Sequence, residues 1–314
     1  MKDLKIVFMG TPDFAVSILK KLVEQKYEVV GVITAPDKPA GRGRKLNESA
    51  VKRYAVQKNL KLLQPTNLKE PSFLEALKAL KANLQIVVAF RMLPKAVWSL
   101  PALGTFNLHA SLLPDYRGAA PINWALINGE VKTGVTTFFL DDKIDTGAII
   151  LQKEIAIGKE ETVGMLHDKL MHLGGDLVLE TVEQIQKGTV TTTKQPEKTP
   201  KVAFKIHKDT CKIDWHSSMD AIHNKIRGLD PYPAAWTYLH NDGIESTVKL
   251  FGAVKEQEKH AQPIGKVVTD KKNIKIAVEG GYLLIQELQL SGKKRMAAAS
   301  LLNGYHFHKD AKMV

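Results

Sequence analysis

Residues 4–34 limit the possible folds of this chain more than any other stretch. Leu4 to Met9 (LKIVFM) is a short apolar run stopped by Gly10, and it reads as a buried strand. Gly10-Thr11-Pro12 makes a turn that starts a helix, with Thr11 at the N-cap and Pro12 at the first helical position. Phe14, Ile18, Leu19, Leu22 and Val23 then recur at helical spacing, and Val29 to Thr34 is a second buried strand. Strand, helix and strand in so short a span predict parallel pairing, hence an α/β domain. The turn lacks G-x-G-x-x-G, since Thr-Pro-Asp follows Gly10, and this counts against a nicotinamide enzyme.

A chain of 314 residues suits two domains. The single cysteine, Cys211, excludes an internal disulfide and any multi-cysteine zinc site. No apolar run reaches the roughly 18 residues of a membrane span, and the N-terminus reads as a strand rather than a signal peptide. A cytoplasmic chain that does not enter membranes is the expectation. The net charge is +12, which points to an acidic partner, with nucleic acid first and a solubilising surface as the alternative.

Further buried strands are expected at Leu84–Ala89 and Thr105–His109, and a pair at Gly134–Leu140 and Ala148–Ile155 around an acidic loop. A long helix covers Thr162–Gln186, with a bend expected at Gly174-Gly175. Periodicity then fails from Lys187 to Lys208, where six lysines face one acid. The expected division is therefore a catalytic domain over 1–188, a basic interdomain linker over 189–207 and a second domain over 208–314. That second domain runs as short strands with glycine and charged turns, which predicts a small β-barrel or sandwich. Ala35–Ser49 (APDKPAGRGRKLNES) reads as a long surface loop without strand or helix. Its Lys38, Arg42, Arg44 and Lys45 suit phosphate contacts, with a plain solvated loop as the alternative.

The chemistry-bearing stretch is FNLHASLLPDYRGAAP, from Phe106 to Pro121, followed by DDKIDTG. Asn107 and His109 are two apart on an expected strand and so share a face, with Leu108 on the other. Open α/β sheets bind ligands at that strand edge. When an amine attacks a carbonyl, charge develops on oxygen, and an Asn amide with a protonated His can donate to it. Asp145 can hold the imidazolium and accept protons. Taken alone, Asn-x-His at a strand end is more often a capping or core hydrogen-bonding pair, and Asp145 more often a turn residue. Asp141, Asp142 and Asp145 match no EF-hand spacing, so no metal is expected.

With FMGTPDFAV, APDKPAGRGRKL, FNLHASLLPDYRGAAPINWAL, GVTTFFLDDKIDTGAII and IRGLDPYPAAW in view, the chain resembles the folate-dependent formyltransferases along nearly its whole length. Within them it is similar to the enzymes that formylate initiator methionyl-tRNA. The resemblance implies a Rossmann-like parallel-sheet domain followed by an OB-like β-barrel, and transfer of formyl from 10-formyltetrahydrofolate to the methionine amine. It implies Asn107, His109 and Asp145 as catalytic residues. It places Ser111, Leu112, Leu113 and Pro114 along the folate, and the Lys38–Lys45 loop against the RNA. Two departures stand out: Phe90-Arg91-Met92 where the family usually has Phe-Gly-Gln, and Asp230-Pro231-Tyr232-Pro233 for Asn-Pro-Trp-Pro. A sugar-nucleotide N-formyltransferase, a formyltetrahydrofolate hydrolase and a non-catalytic RNA-binding protein are the rival expectations.

Overall fold

The structure is a computed structural model that describes residues 3–40, 45–199 and 201–314. Arg42 and Arg44 lie outside the described residues. By internal contacts the chain forms two units: Met1–Gly118 with Gly134–Ile155 and His167–Val202, and Ala119–Thr133 with Ala156–Leu166 and Ala203–Val314.

The first unit is built on a seven-stranded sheet, in the order Ile149–Ala156, Lys132–Phe139, Thr105–His109, Leu84–Val88, Lys5–Gly10, Glu28–Ile33 and Leu62–Leu63. Pairing is parallel from Thr105–His109 outward to Leu62–Leu63. Lys132–Phe139 runs antiparallel to Thr105–His109. The parallel strands are apolar on both faces because both are covered: Ile6, Phe8, Ile33, Leu84, Ile86 and Phe106 are fully buried. The opening helix is Asp13–Glu24, and its N-cap is Pro12 rather than Thr11. Pro12 has an extended backbone, and no side chain caps the helix.

The long helix is Val163–Lys187, unbroken over 25 residues. Gly174 does not interrupt it. Its Cα faces Leu108 on the site strand, where an added Cβ would lie 2.7 Å from Leu108 Cδ2. The glycine lets the helix approach the back of that strand.

Ala35–Ser49 differs from its expectation as an unpaired loop. Lys38–Ala40 and Lys45–Asn47 pair antiparallel as a short hairpin. Pro39 is tolerated because an isolated two-strand ribbon has outward-facing edges that need no further donor. The hairpin stands on a polar stem. Lys52 bridges Asp37 and Glu48, Gln64 Nε2 donates to Asp37 Oδ1 (3.0 Å), and the Thr34 and Ser49 hydroxyls meet at 2.7 Å.

Residues from the expected linker also take ordered places. Thr193 bridges Ile149 through paired backbone bonds of 2.8 and 2.9 Å, and the last segment of the second unit begins at Ala203. That unit also gathers two earlier segments. Helix Pro121–Ile127 packs with helix Met219–Leu229, where Asn123 Nδ2 donates to the Gly228 carbonyl (2.8 Å).

The second unit holds a nearly closed antiparallel barrel. Strands follow the order Val267–Thr269, Ile274–Val278, Gly281–Leu290, Ile244–Gln257, Ala235–Asn241 and Lys312–Met313. A bridge from Lys312 to Lys266 carries the last strand back toward the first. Asp242-Gly243 turns the longest hairpin with φ of 52° and 72°, the geometry that matches strand twist. Trp215, Ile226, Leu239, Leu250, Ile276 and Leu283 fill the interior.

Candidate active site

Strand Thr105–His109 alternates as its sequence predicts. Phe106 and Leu108 are buried on the helix-covered side, while Asn107 and His109 share the other face. Asn107 is partly exposed, and none of the described residues hydrogen-bonds its amide, which leaves its donors for a ligand. His109 is only 6% exposed. Its Nε2 lies 2.8 Å from the Tyr116 carbonyl. A carbonyl can only accept, so Nε2 carries the proton and Nδ1 is the nitrogen left for chemistry.

The acidic turn reaches that nitrogen. Asp145 Oδ2 stands 3.8 Å from His109 Nδ1 and accepts from the Gly118 backbone N–H at 2.9 Å. Asp145 has φ of 55° and Tyr116 φ of 61°. Both ring nitrogens of His109 therefore face residues held in the left-handed region, which non-glycine residues rarely enter. Asp141 builds the start of the turn by accepting from Lys143 N (3.0 Å) and Thr146 Oγ1 (2.7 Å). Gly147 closes it where no Cβ fits, since one would sit 1.6 Å from the Phe139 carbonyl oxygen.

The four residues expected along the folate divide by burial. Ser111 and Leu113 are buried and committed to the scaffold. Ser111 Oγ donates to the Asp115 carbonyl, Leu113 N to Thr136 Oγ1, and Gln152 Nε2 to the Leu113 carbonyl. Leu112 and Pro114 keep partly exposed surface. Across the sheet edge, Val88 pairs with Leu108, and the chain leaves the sheet at Ala89 with φ of 47°. Phe90-Arg91-Met92 follows directly. Arg91 donates to the Pro65 and Thr66 carbonyls and lies 5.5 Å over the Phe90 ring, and burial lowers its pKa. Its Nε is buried, with no partner among the described residues.

Sequence reasoning missed Tyr116, Arg117 and Gln195. Tyr116 holds the His109 tautomer. Arg117 and Gln195, both nearly buried, pair with each other beside the Asp145 turn. An Arg within a Pro/Gly-rich segment is the available signal, but its partner lies in a stretch without periodicity.

Of the expected RNA-contacting residues, Lys38 is exposed on the hairpin, and the side chain of Lys45 lies outside the described residues. In the second unit, Lys208 Nζ lies 5.1 Å over the Trp236 ring and Lys212 Nζ 4.9 Å over Tyr238, with the two rings edge to face at 5.2 Å. Both lysines are exposed and suit a polyanion, whereas Trp236 is buried in the barrel core. Among the described residues, no group of three His, Cys, Asp or Glu side chains is placed to hold a metal ion, and no helix is long and apolar enough to cross a membrane.

The formyl transferase family model matches residues 4–182, and the model of the formyl transferase C-terminal domain matches 205–306. A methionyl-tRNA formyltransferase from Flavobacterium johnsoniae is 60% identical over 314 residues, covering 100% of each chain. Another from Bacteroides thetaiotaomicron is 55% identical over 318 residues, covering 99% of each. Among solved structures, an N-formyltransferase from Helicobacter canadensis in complex with folinic acid and dTDP-3-aminofucose superposes with a TM-score of 0.67 at 19% identity, covering 93% of this chain and 100% of that one. HypX from Aquifex aeolicus in complex with tetrahydrofolic acid gives 0.66 at 19% identity, covering 96% of this chain and 47% of that one. At these identities the solved structures carry the fold alone.

Proposed function

This chain belongs to the methionyl-tRNA formyltransferase family, and on that premise we propose that it moves the formyl group of 10-formyltetrahydrofolate to the α-amino group of methionine on initiator tRNA. The observation that carries the residue roles is the approach of Asp145 Oδ2 to His109 Nδ1 at 3.8 Å, on the strand face that also bears the Asn107 amide, which none of the described residues hydrogen-bonds.

The amine nitrogen attacks the formyl carbon, and negative charge gathers on the formyl oxygen. The Asn107 amide donates to that oxygen. His109, protonated at Nδ1 as well as Nε2, donates a second bond from Nδ1. The Tyr116 carbonyl keeps Nε2 occupied, so the ring cannot rotate its other nitrogen into the site. Asp145 stabilises the imidazolium and takes the proton that the amine sheds, directly or through a water. As the intermediate collapses, the bond from the formyl carbon to the folate nitrogen breaks, and Asp145 returns the proton it took to that nitrogen, directly or through a water. Leu112 and Pro114, the partly exposed members of the Ser111–Pro114 wall, are the members we assign to folate contact; buried Ser111 and Leu113 support them. No step requires a metal.

The RNA is assigned to the Lys38–Lys45 segment and to the exposed Lys208 and Lys212 of the barrel unit. The net charge of +12 supports this reading.

The test is formylation of charged initiator tRNA with 10-formyltetrahydrofolate, read as formyl-methionine. Asn107→Ala and His109→Ala should each lower turnover by on the order of 10²–10³. Near-normal turnover in both would remove their assigned roles. Affinity for the tRNA should fall steeply with salt as counterions are released. Formylation of a free sugar amine, with kinetics indifferent to salt, would favour a small-molecule substrate instead.

A further inference from the structure

We propose that Gln195 is a positioning residue that sets the Asp145 turn, and thereby the proposed formyl transfer on which this inference rests. Gln195 is 5% exposed and lies in the stretch between the long helix and the second unit. Its Nε2 donates to the carbonyls of Asp145 (3.0 Å) and Gly147 (2.7 Å). Its Oε1 accepts from Arg117 Nε (3.1 Å) and Nη2 (2.8 Å). The orientation of the amide is forced. A flip would press its N–H groups against the guanidinium and its oxygen against two carbonyls.

Arg117 is buried with a charge to satisfy, and the described residues offer it no carboxylate. Besides Gln195 it donates to the carbonyls of Pro196 (2.8 Å) and Glu197 (3.3 Å). The backbone on either side of Gln195 is anchored too. Thr193 bridges Ile149, Thr199 Oγ1 donates to Asp115 Oδ1 (3.0 Å), and the Lys201 carbonyl accepts from Tyr116 N (2.8 Å). Residues 193–199 together with Lys201 thus strap across both segments that face His109, the one carrying Tyr116 to Gly118 and the one carrying Asp145.

The two carbonyls held by Gln195 are that of the left-handed residue Asp145 itself and that of Gly147, two residues on. A residue in that region persists only where its surroundings hold it. Release of both carbonyls frees the peptide plane that follows Asp145 and the end of the turn at Gly147, and with them the aim of Oδ2 at Gly118 N and His109 Nδ1. Gln195 touches no reacting atom. It acts through Asp145.

Gln195→Ala and Gln195→Glu separate the two sides of the amide. Glutamate keeps an acceptor for Arg117, and adds an ion pair, but loses both donors to the turn. If Gln195 positions Asp145, both variants lose on the order of 10²-fold in kcat, with KM for tRNA and for the formyl donor little changed and the pH profile of kcat displaced. Recovery of wild-type kcat and pH profile in Gln195→Glu would overturn the proposal, because Gln195 would then serve only to satisfy Arg117. A wild-type rate in Gln195→Ala would overturn it as well. The ring ¹⁵N shifts of His109 give a readout independent of activity. They should move in both variants, and unmoved shifts would overturn the proposal even if Gln195→Ala folds poorly and only Gln195→Glu can be measured. If the wild-type protein formylates no tRNA, the proposed function fails, and the His109 shifts still decide the role of Gln195.

Discussion

Gly118 gives its backbone N–H to Asp145 Oδ2 at 2.9 Å, so the bend that follows His109 and the acidic turn are closed onto each other by one charge-assisted bond. The same oxygen faces His109 Nδ1. Asp145→Asn therefore isolates charge from shape. The amide oxygen can still accept from Gly118, but the imidazolium loses its counter-charge and the amine its proton acceptor. Turnover should fall by about 10²–10⁴-fold, with tRNA binding intact and melting little changed. Steady-state formylation beside filter binding of the tRNA checks this, and kcat near wild type would free Asp145 of its role.

The back of the site strand gives a second expectation. A Cβ at residue 174 would lie 2.7 Å from Leu108 Cδ2, and Leu108 is buried between Asn107 and His109 in sequence. In Gly174→Ala the side chain or the helix must shift, at a cost of about 1–3 kcal/mol. The strand should move with it, lowering kcat as well as stability. Adding Leu108→Ala to Gly174→Ala makes room for the methyl group. The double variant should be less destabilised than the sum of its parts, which a double-mutant cycle by denaturant melts would measure.

What could be read from the sequence follows from how far each signal reaches along the chain. The Asn107-x-His109 face is a period-2 property of one strand, and it survives in the structure unchanged. The parallel core is carried by apolar runs that need no partner to be recognised. Gly174-Gly175 reads as a bend because glycine weakens a helix, yet the helix is unbroken and the glycine answers to Leu108, far away in sequence. The polar, aperiodic stretch around Gln195 looks like a linker for the same reason. Its order comes from Arg117, Asp145 and Ile149, none of them nearby in the chain. Tyr116 and Asp145 in the left-handed region leave no mark in composition at all.

The stem under the basic hairpin predicts a separation of substrate effects. Lys52 holds Asp37 and Glu48 together, and Gln64 adds a bond to Asp37. The hydrogen bond from Lys52, then that from Gln64, lowers the Asp37 pKa; the bond to Asp37, then that to Glu48, raises the Lys52 pKa. A depressed carboxylate contributes stability above its unfolded pKa, about 3.9, and loses it as pH falls through the folded value. A raised amine contributes fully below its unfolded pKa, about 10.4, and loses that contribution as pH rises through the folded value. The stem should thus be firm across neutral pH and loosen at both extremes. Hydrogen exchange at the Lys38–Ala40 and Lys45–Asn47 pairing would follow it. Lys52→Met should raise KM for tRNA while leaving KM for the formyl donor unchanged, and equal effects on both would show that the stem serves the sheet rather than the RNA.

Arg91 stands where the chain leaves the sheet beside the site, and its guanidinium fastens that exit to the carbonyls of Pro65 and Thr66. Hydrogen bonds from a charged donor are worth about 1.5–3 kcal/mol each, so truncation by Arg91→Ala should lower stability by a few kcal/mol, before any relaxation of the freed carbonyls. Since one kcal/mol moves Tm by about 2–4 °C in a domain of 150–250 residues, the loss is readable by calorimetry. The Ala89–Met92 exit is also the neighbour of Asn107 across the Val87 and Val88 pairing. Loosening it should raise KM for the formyl donor more than it lowers kcat, because the wall moves while His109 and Asp145 stay tied to Tyr116 and Gly118. Arg91→Lys keeps the charge but offers a single nitrogen to two carbonyls, and it should fall between the wild type and alanine in both Tm and KM. A lysine variant with wild-type Tm and KM would mean that charge near the sheet edge is sufficient, and that the forked contact to Pro65 and Thr66 contributes nothing to the site.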